Sequence, residues 1–201
     1  MAASIKDGNS GNVMKVDSNN RGHMHAISES EERQANISGN AYNINTGVIT
    51  LTDAADTPIM YLKNNDTKDL VISAIAVGVG PSTGGSGGIP KITVVRNPTA
   101  GTTISNANNV DIKSNRNYQS SKTAANVVAY KGATGETMTD GEDHIIFFQT
   151  SSGRLFGTIE EYLPQGSSIG VKFDPQPSNT SQDVYCALIC YFLDEENKDN
   201  Q

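Results

Sequence analysis

Two short motifs in the chain contain residue types that catalytic and metal sites use. Residues 84–88 read Gly-Gly-Ser-Gly-Gly and match the G-x-S-x-G pattern of serine hydrolases, which holds the serine on a sharp strand-to-helix turn. Here a strand is predicted to follow, and a run of glycines does not fix a nucleophile. His23 and His25 would face the same way on an extended segment and could share a metal ion, given ligands from another chain. The simpler interpretation is two solvated histidines, so we predict no metal and no cofactor.

Two groups of acidic residues have the residue types of acid–base or calcium sites. Residues 140–144 read Asp-Gly-Glu-Asp-His, but glycine at the second position departs from the calcium-loop order, so a turn before a strand is predicted. Glu160 and Glu161 are neighbours, and in a regular strand they would face opposite sides, which excludes an acid and base pair. No catalytic residue is therefore assigned, and the chain is not expected to be an enzyme.

The two cysteines, Cys186 and Cys190, are four positions apart on the last predicted strand. At roughly 3.3 Å per residue their Cα atoms would lie about 13 Å apart. A disulfide needs a Cα separation below about 7 Å, so the two cannot pair with each other. They share one face with Leu188 and Phe192, and we expect both to be buried apolar residues.

Composition and charge exclude several classes of partner. The chain has 201 residues and a formal net charge of −7, and its 15 Lys and Arg residues are dispersed. Because phosphate binding needs a basic stripe, no nucleic acid partner is expected. The longest apolar stretch, residues 70–79, is too short to span a bilayer, and the N-terminus lacks the features of a secretory signal. We therefore expect no membrane association and synthesis in the cytoplasm.

Short apolar segments ended by Gly, Pro or Asn predict an all-β protein. No segment has a sustained helical period; residues 28–35 fit a capping box, but too few apolar residues follow to pack a helix. Residues 59–63 and 70–80 flank an Asn-Asn-Asp turn and are predicted to form an antiparallel hairpin. The fold class is an antiparallel two-sheet sandwich, jelly-roll-like, with an extended N-terminal arm. The predicted strands cover residues 42–52 with a kink at Gly47, 59–63, 70–80, 89–97, 102–113, 127–130, 144–150, 155–162, 168–173 and 183–193.

Three regions are predicted along the chain. Residues 1–40 are polar with scattered apolar residues and cannot form a core, so they form an arm that is disordered alone or ordered on a neighbouring subunit. Residues 41–193 form the sandwich, and residues 194–201 form an acidic disordered tail. An extended arm of this length could reach roughly 130 Å. Its candidate anchors at an interface are Val13, Met14, Val16, Met24 and Ile27.

Several segments of the chain resemble one known class of proteins. They are residues 16–21 (VDSNNR), 26–30 (AISES), 39–47 (GNAYNINTG), 61–65 (YLKNN), 166–173 (GSSIGVKF) and 184–192 (VYCALICYF). These segments resemble structural proteins of tailed bacteriophages, in which an N-terminal arm leads into a β-sandwich. The resemblance implies a virion protein made in the host cytoplasm that decorates or cements the capsid, or belongs to the collar or tail. It also implies a homo-oligomer, with a trimer favoured, and major capsid or head–tail proteins as partners.

An alternative function is glycan binding by a collar, tail or fibre component. Jelly-roll domains include lectins, whose loops recognise sugars. Sugar rings stack on exposed aromatic side chains, and this chain has no Trp. The candidate contacts are Tyr118 and Tyr130, which lie in or beside polar central segments.

Overall fold

The protein is described from a computed structural model that covers most of the chain. It describes residues 30–52, 55–83, 89–105, 108–110, 112–149, 153–175 and 181–193, with the backbone of residues 15–16 and 22–23. Contacts divide the chain into Met1–Ser30 and Glu31–Gln201. In the first unit, β1 (Lys15–Val16) pairs antiparallel with β2 (Gly22–His23).

The second unit contains two antiparallel sheets whose strands differ in length, and we call them sheet I and sheet II. Sheet I has the order β12 (Gly153–Leu163), β6 (Leu70–Thr83), β14 (Ser181–Phe192), β3 (Ala41–Asn45) and β9 (Ile112–Asn115), and β4 (Ile49–Leu51) also pairs with β14. Sheet II has the order β11 (Glu142–Phe148), β7 (Lys91–Arg96), β13 (Ser168–Asp174), β5 (Thr57–Asn64), β10 (Val127–Lys131) and β8 (Asn108–Asn109).

Eight of these strands follow the nested pairing of a jelly roll. Taken in chain order as β3, β5, β6, β7, β11, β12, β13 and β14, the first pairs with the eighth and the second with the seventh. The third pairs with the sixth and the fourth with the fifth. This nesting places four strands in each sheet and defines the jelly roll, so the predicted fold class is confirmed. The segment between β7 and β11 adds β10 and β8 to sheet II and β9 to sheet I.

The hydrophobic core lies between the two sheets. Ile72 and Leu188 of sheet I and Leu62 and Phe173 of sheet II are completely buried in one cluster. The inward residues of each strand supply this cluster, because every second side chain of a strand points to the same face. The central strands β5 and β6 also bury apolar residues on their outward faces. The predicted kink at Gly47 is also confirmed, since that residue has φ 68° and separates β3 from β4.

The predicted hairpin between β5 and β6 is wrong. β5 lies in sheet II and β6 in sheet I, so the turn between them crosses from one sheet to the other. Buried Asn64 holds this crossing, because its side-chain amide donates to the carbonyls of Lys68 at 2.9 Å and Leu163 at 2.8 Å. Residues that favour a turn do not determine whether the chain returns within one sheet or crosses to another.

A helix forms near the start of the second unit, contrary to the expectation that nothing would hold one there. Helix α1 (Glu31–Ile37) buries Ala35 against Ala41, Val71 and Tyr191, so one small residue is enough for close packing. The Arg116 guanidinium also pairs with the Glu32 carboxylate.

The segment predicted as a strand at residues 102–113 also differs from expectation. It contains the short helix α2 (Thr102–Ser105), followed by β8 and the start of β9. The sparse apolar residues of this segment fit a connection between the two sheets better than a continuous strand. No helix in the described part of the chain is long and apolar enough to cross a membrane.

Candidate functional site

Most of the motifs that suggested chemistry lie outside the described residues. This applies to residues 84–88, to His25, and to the arm residues Val13, Met14, Met24 and Ile27. Val16 and His23 belong to β1 and β2, for which the backbone alone is described. The arm anchors therefore stay predictions.

The two candidate sugar contacts, Tyr118 and Tyr130, lie on parts of the chain that belong to different sheets. Tyr118 is in the turn after β9 of sheet I, and its side chain is fully exposed. Tyr130 is on β10 of sheet II, where its ring stacks on Tyr61 with the centroids 6.1 Å apart and an interplanar angle of 12°. One face of Tyr130 is thus covered, whereas Tyr118 is free to contact a ligand.

Of the acidic residues 140–144, Asp140 and Gly141 precede β11, whereas Glu142, Asp143 and His144 belong to it. The Asp140 carboxylate accepts hydrogen bonds from the backbone amides of Thr99 and Ala100 and from the Thr99 hydroxyl. These hydrogen bonds lower the pKa of Asp140 because they favour the charged carboxylate, and the bond from the Thr99 hydroxyl contributes most. Asp140 therefore ties the start of β11 to the loop that follows β7.

A cavity of about 380 Å³ opens where the edge strands of the two sheets meet. Four strands provide its walls: the end of β7, the start of β11, the end of β12 and the start of β13. This volume lies in the range of small-molecule pockets, roughly 300–1,000 Å³. Its lining residues are Val94, Arg96, Asn97, His144, Glu160, Glu161, Tyr162, Leu163, Pro164, Ser167, Ser168 and Ile169.

Two charged residues that line this cavity lie on the inward faces of their strands, where the other side chains belong to the core. Arg96 pairs in register with Ile169, and Glu161 pairs with Ile72, and both isoleucines are buried in the core. Residues directly opposite in an antiparallel pair share one face of the sheet, so Arg96 and Glu161 lie on the inward faces of their sheets. On β7 the inward apolar stripe thus ends at Arg96, and on β12 Glu161 interrupts that stripe before buried Leu163.

A hydrogen-bonded pair joins the two sheets across this cavity. His144 Nε2 of β11 lies 2.9 Å from Glu161 Oε1 of β12, and both side chains are partly exposed. The imidazole N–H donates to the carboxylate, which accepts in its ionised form. β11 and β12 lie at the edges of different sheets, so this pair connects them at the side of the sandwich where neither sheet continues within the described residues.

Two β-bulges bring these side chains together. The register of β11 shifts between Asp143 and Ile145, which makes His144 the extra residue. The register of β12 shifts between Thr158 and Glu161, and Glu160 there has φ 45°. The alternation of more and less exposed residues in β12 continues through this bulge, with Glu161 opposite buried Ile72 and Glu160 more exposed. The expectation that the two neighbouring glutamates face opposite sides agrees with this pattern.

The same two strands carry exposed apolar side chains on the outward faces of their sheets, and we call the side of the sandwich that these two strands form the open edge. These side chains are Ile146 and Phe148 on β11 and Phe156 and Tyr162 on β12. Phe148 keeps 66% of its surface and Phe156 keeps 53%, although each lies in a sheet. Exposed aromatic residues on two edge strands are unusual in a sandwich, because edge strands are commonly short, charged or covered by other elements.

Cys186 and Cys190 are free and completely buried on β14, which confirms that they form no disulfide with each other. Burial raises the pKa of Cys190 to about 12, against a smaller lowering by Arg116, and burial also raises the pKa of Cys186. They act as apolar core residues, because a thiol held in its protonated form is a poor nucleophile.

The buried thiols predict a loss of stability at alkaline pH. In the unfolded chain each thiol loses its proton near pH 8.5, whereas in the native protein both stay protonated, so unfolding becomes more favourable as the pH rises above that value. We expect the free energy of unfolding, measured by urea denaturation, to decrease from about pH 8 to about pH 10. Cys190→Ala should show a smaller decrease over the same interval. An equal decrease in both proteins would contradict this account of the thiols.

Comparison with known proteins gives likenesses to solved structures alone. No protein-family model matches the chain, and no curated protein matches it. The chain is 11% identical to a chain of infectious bursal virus-derived T=1 particles, over 80% of its own length and 42% of the other, with a TM-score of 0.19. For infectious bursal disease virus Gt strain the identity is 13%, the coverage 77% and 42%, and the TM-score 0.15. For the VP2 subviral particle of that virus the values are 11%, 77%, 43% and 0.13. The chain spans less than half the length of each.

Proposed function

We propose that the protein is a non-enzymatic structural component of a virus particle, which assembles through the open edge and the N-terminal arm. Jelly rolls occur in viral capsid proteins, lectins and cupins, so the fold limits the possible functions but does not decide among them. The open edge is the observation that carries the proposal. Burial of the exposed side chains of Ile146, Phe148, Phe156 and Tyr162 on these two edge strands gains free energy when another protein covers them.

The open edge has a charge distribution that is complementary to the open edge of a second copy of this chain. The contact between His144 and Glu161 places the start of β11 beside the end of β12. Glu142 and Glu160 therefore lie at one end of the open edge, and Arg154 lies at the other. When two copies meet antiparallel about a two-fold axis, the acidic end of each faces the Arg154 of its partner, while the apolar residues meet between them. The trimer expected from the phage resemblance stays a prediction, and the measured mass of the oligomer decides between the two symmetries.

In the particle, the protein would decorate or cement the capsid of a tailed bacteriophage after synthesis in the host cytoplasm. Its partners would be the major capsid protein or head–tail components, and its arm would be ordered on neighbouring subunits. The arm has sparse apolar residues to contribute to such contacts, namely Val13, Met14, Val16, Met24 and Ile27. A polar arm gains order when it binds a surface that buries these residues.

A second candidate function is glycan binding by the sandwich of a collar, tail or fibre protein. The observation that favours it is the full exposure of Tyr118 in a turn, where its ring can stack on a sugar. Tyr130 is the weaker contact, because it already stacks on Tyr61.

Purified particles test the structural role. We expect the protein in them at a fixed copy number relative to the major capsid protein. A chain that lacks residues 1–30, and so keeps helix α1 on the sandwich, should lose incorporation, because the arm would no longer reach its neighbours. Quantitative mass spectrometry of particles from matched lysates measures both. The matched control lacks residues 194–201, the predicted acidic tail, and should incorporate fully. If the chain without the arm is still fully incorporated, the arm is not needed for assembly. Absence of the protein from particles would overturn the structural role.

A further inference from the structure

The free edge of β12 has a sequence that complements itself. β12 (Gly153–Leu163) ends sheet I, and among the described residues β6 is its one neighbour in that sheet. Arg154 and Glu160 have opposite charges and lie three positions before and three positions after Gly157. When such a strand pairs antiparallel with a second copy of itself about a two-fold axis at Gly157, each residue faces the one at the same distance on the other side of the centre.

The outward residues of β12 match in this arrangement. The alternation of the strand continues past its bulge, so outward residues face outward residues, and Arg154 faces Glu160 of the second copy. The two-fold symmetry repeats this contact. Within the described residues neither side chain has an ion pair, and the Arg154 guanidinium lies over the Phe156 ring at 5.7 Å. Both charges are therefore available, and opposite charges that face each other in an antiparallel pair stabilise it.

The inward residues of β12 match as well. Leu155 and Ile159 pack on the core of their own copy and are partly buried, and each faces the other residue of the second copy. Inward charges on an edge strand commonly prevent pairing, and β12 has one at Glu161. Glu161 would lie opposite Gly153 at the end of the pair, and its carboxylate is already hydrogen-bonded to His144 at 2.9 Å. The central part of the pair is therefore free of inward charge.

β11, the other strand of the open edge, lacks this self-complementarity. Its carboxylates, Glu142 and Asp143, lie at one end of the strand, and Phe147 and Phe148 lie at the other. Antiparallel pairing of β11 with itself over its length would place carboxylates opposite aromatic rings. Of the two edge strands, β12 is thus the one whose charges favour pairing with a second copy.

We propose that two copies of the chain associate by antiparallel pairing of β12 with β12, centred on Gly157, so that sheet I continues from one copy into the other. The inference rests on the proposed function, because it specifies how two copies meet at the open edge. Pairing gives the backbone groups at the free edge of β12 hydrogen-bond partners. Arg154 and Glu160 determine the register of the pair.

Disulfide formation at the two-fold axis tests this register. Gly157→Cys would place two thiols opposite each other with their Cα atoms roughly 4.5–5.5 Å apart, which a disulfide can span. The fold tolerates the substitution, because a Cβ at Gly157 meets its nearest atom at 3.6 Å. Cys186 and Cys190 are buried and do not compete. We expect most of the Gly157→Cys protein to become a covalent dimer on oxidation with copper phenanthroline, measured by non-reducing electrophoresis.

Thr158→Cys is the matched control for this experiment. Thr158 is the next residue of β12 and is more exposed than Gly157, so chance collisions would oxidise its variant more readily. In the proposed register the two substituted residues are offset by two positions, and at roughly 3.3 Å per residue and a strand spacing of about 4.8 Å their Cα atoms lie about 8 Å apart. This exceeds the limit of about 7 Å for a disulfide, so little covalent dimer is expected.

Exchange of the charged pair tests the same register without cysteine. Arg154→Glu should weaken dimerisation by about tenfold, because two ion pairs become two pairs of like charge. Adding Glu160→Arg exchanges the charges and should restore the dissociation constant of the parent. Sedimentation velocity measures all three proteins, and circular dichroism confirms that each variant keeps the fold.

The possible outcomes separate the register from the proposed function. Covalent dimer in Gly157→Cys but little in Thr158→Cys, together with rescue by Glu160→Arg, supports the pairing. Equal or greater cross-linking of Thr158→Cys, or no rescue, overturns the pairing. If Gly157→Cys forms no covalent dimer while the parent still self-associates, the pairing is overturned and assembly through the open edge stands. If the parent also stays monomeric, association of two copies in solution is overturned as well, and the protein's presence in particles decides the structural role separately.

Discussion

Replacing Phe148 and Phe156 together by serine is expected to leave the protein folded but monomeric at concentrations where the parent self-associates. Both rings are mostly exposed on the open edge, so their loss removes little from the core. An aromatic residue at the centre of an interface contributes roughly 2 kcal/mol or more, so the double substitution should weaken association by about a thousandfold. Sedimentation velocity over a concentration series measures this.

Charge substitutions at the ends of the open edge test whether the associating partner is a second copy of this chain. Arg154→Glu should weaken self-association, because it places a carboxylate opposite the partner's acidic end. Adding Glu142→Arg should restore it, since the charges are then exchanged and not removed. Arg154 also lies over the Phe156 ring at 5.7 Å, so the rescue separates the charge effect from the loss of that contact.

An exposed aromatic residue elsewhere serves as the control for this surface. Tyr118→Ser removes a fully exposed ring in the turn after β9 and should leave the association constant unchanged. Equal association by the parent and by the Phe148 and Phe156 double variant would remove the open edge from the proposed function. A parent that stays monomeric at all concentrations would restrict assembly to the surface of the particle.

The second large effect is expected at Gly132, which follows β10. Its amide donates to the carbonyl of Ile59 at 3.1 Å, and a Cβ added there would lie 1.6 Å from the carbonyl oxygen of Pro58. Both neighbours are backbone of β5, which is buried in sheet II and cannot move without breaking its pairing. Gly132→Ala should therefore lower the free energy of unfolding by roughly 3 kcal/mol or more.

Gly157 provides the matched control for this substitution. A Cβ at Gly157 meets its nearest atom, in the Phe147 ring, at 3.6 Å, which is ordinary contact. Gly157→Ala should change stability by less than about 1 kcal/mol. Urea denaturation of both variants measures the difference, and equal stabilities would show that the chain relaxes at Gly132.

Much of the fold follows from local features of the sequence. Short apolar segments ended by Gly, Pro or Asn predicted the strands at β5, β6, β13 and β14, and the kink at Gly47 followed from the glycine. The hairpin between β5 and β6 was predicted wrongly, because Asn64 bonds to Leu163, a residue 99 positions away that no local pattern identifies.

The candidate site was missed for a similar reason. His144 and Glu161 are 17 positions apart and belong to different sheets, and their contact depends on a bulge in each strand. One signal was present in the sequence. Arg96 continues the inward alternation of Ile92 and Val94, so a charged residue replaces an apolar one where the core stripe should extend. Such a substitution at an inward position indicates a site at the end of a sandwich.

The sequence by itself determined that this chain folds as a β-sandwich with buried, unpaired cysteines, because alternation and spacing act within a single strand. It also predicted an N-terminal arm, since residues 1–40 have too little apolar surface to form a core. The tertiary structure alone decided the crossing at Asn64, the position of the open edge and the cavity beside it. Those features depend on which strands end each sheet and where their registers shift, and both are set by packing between residues far apart in the chain.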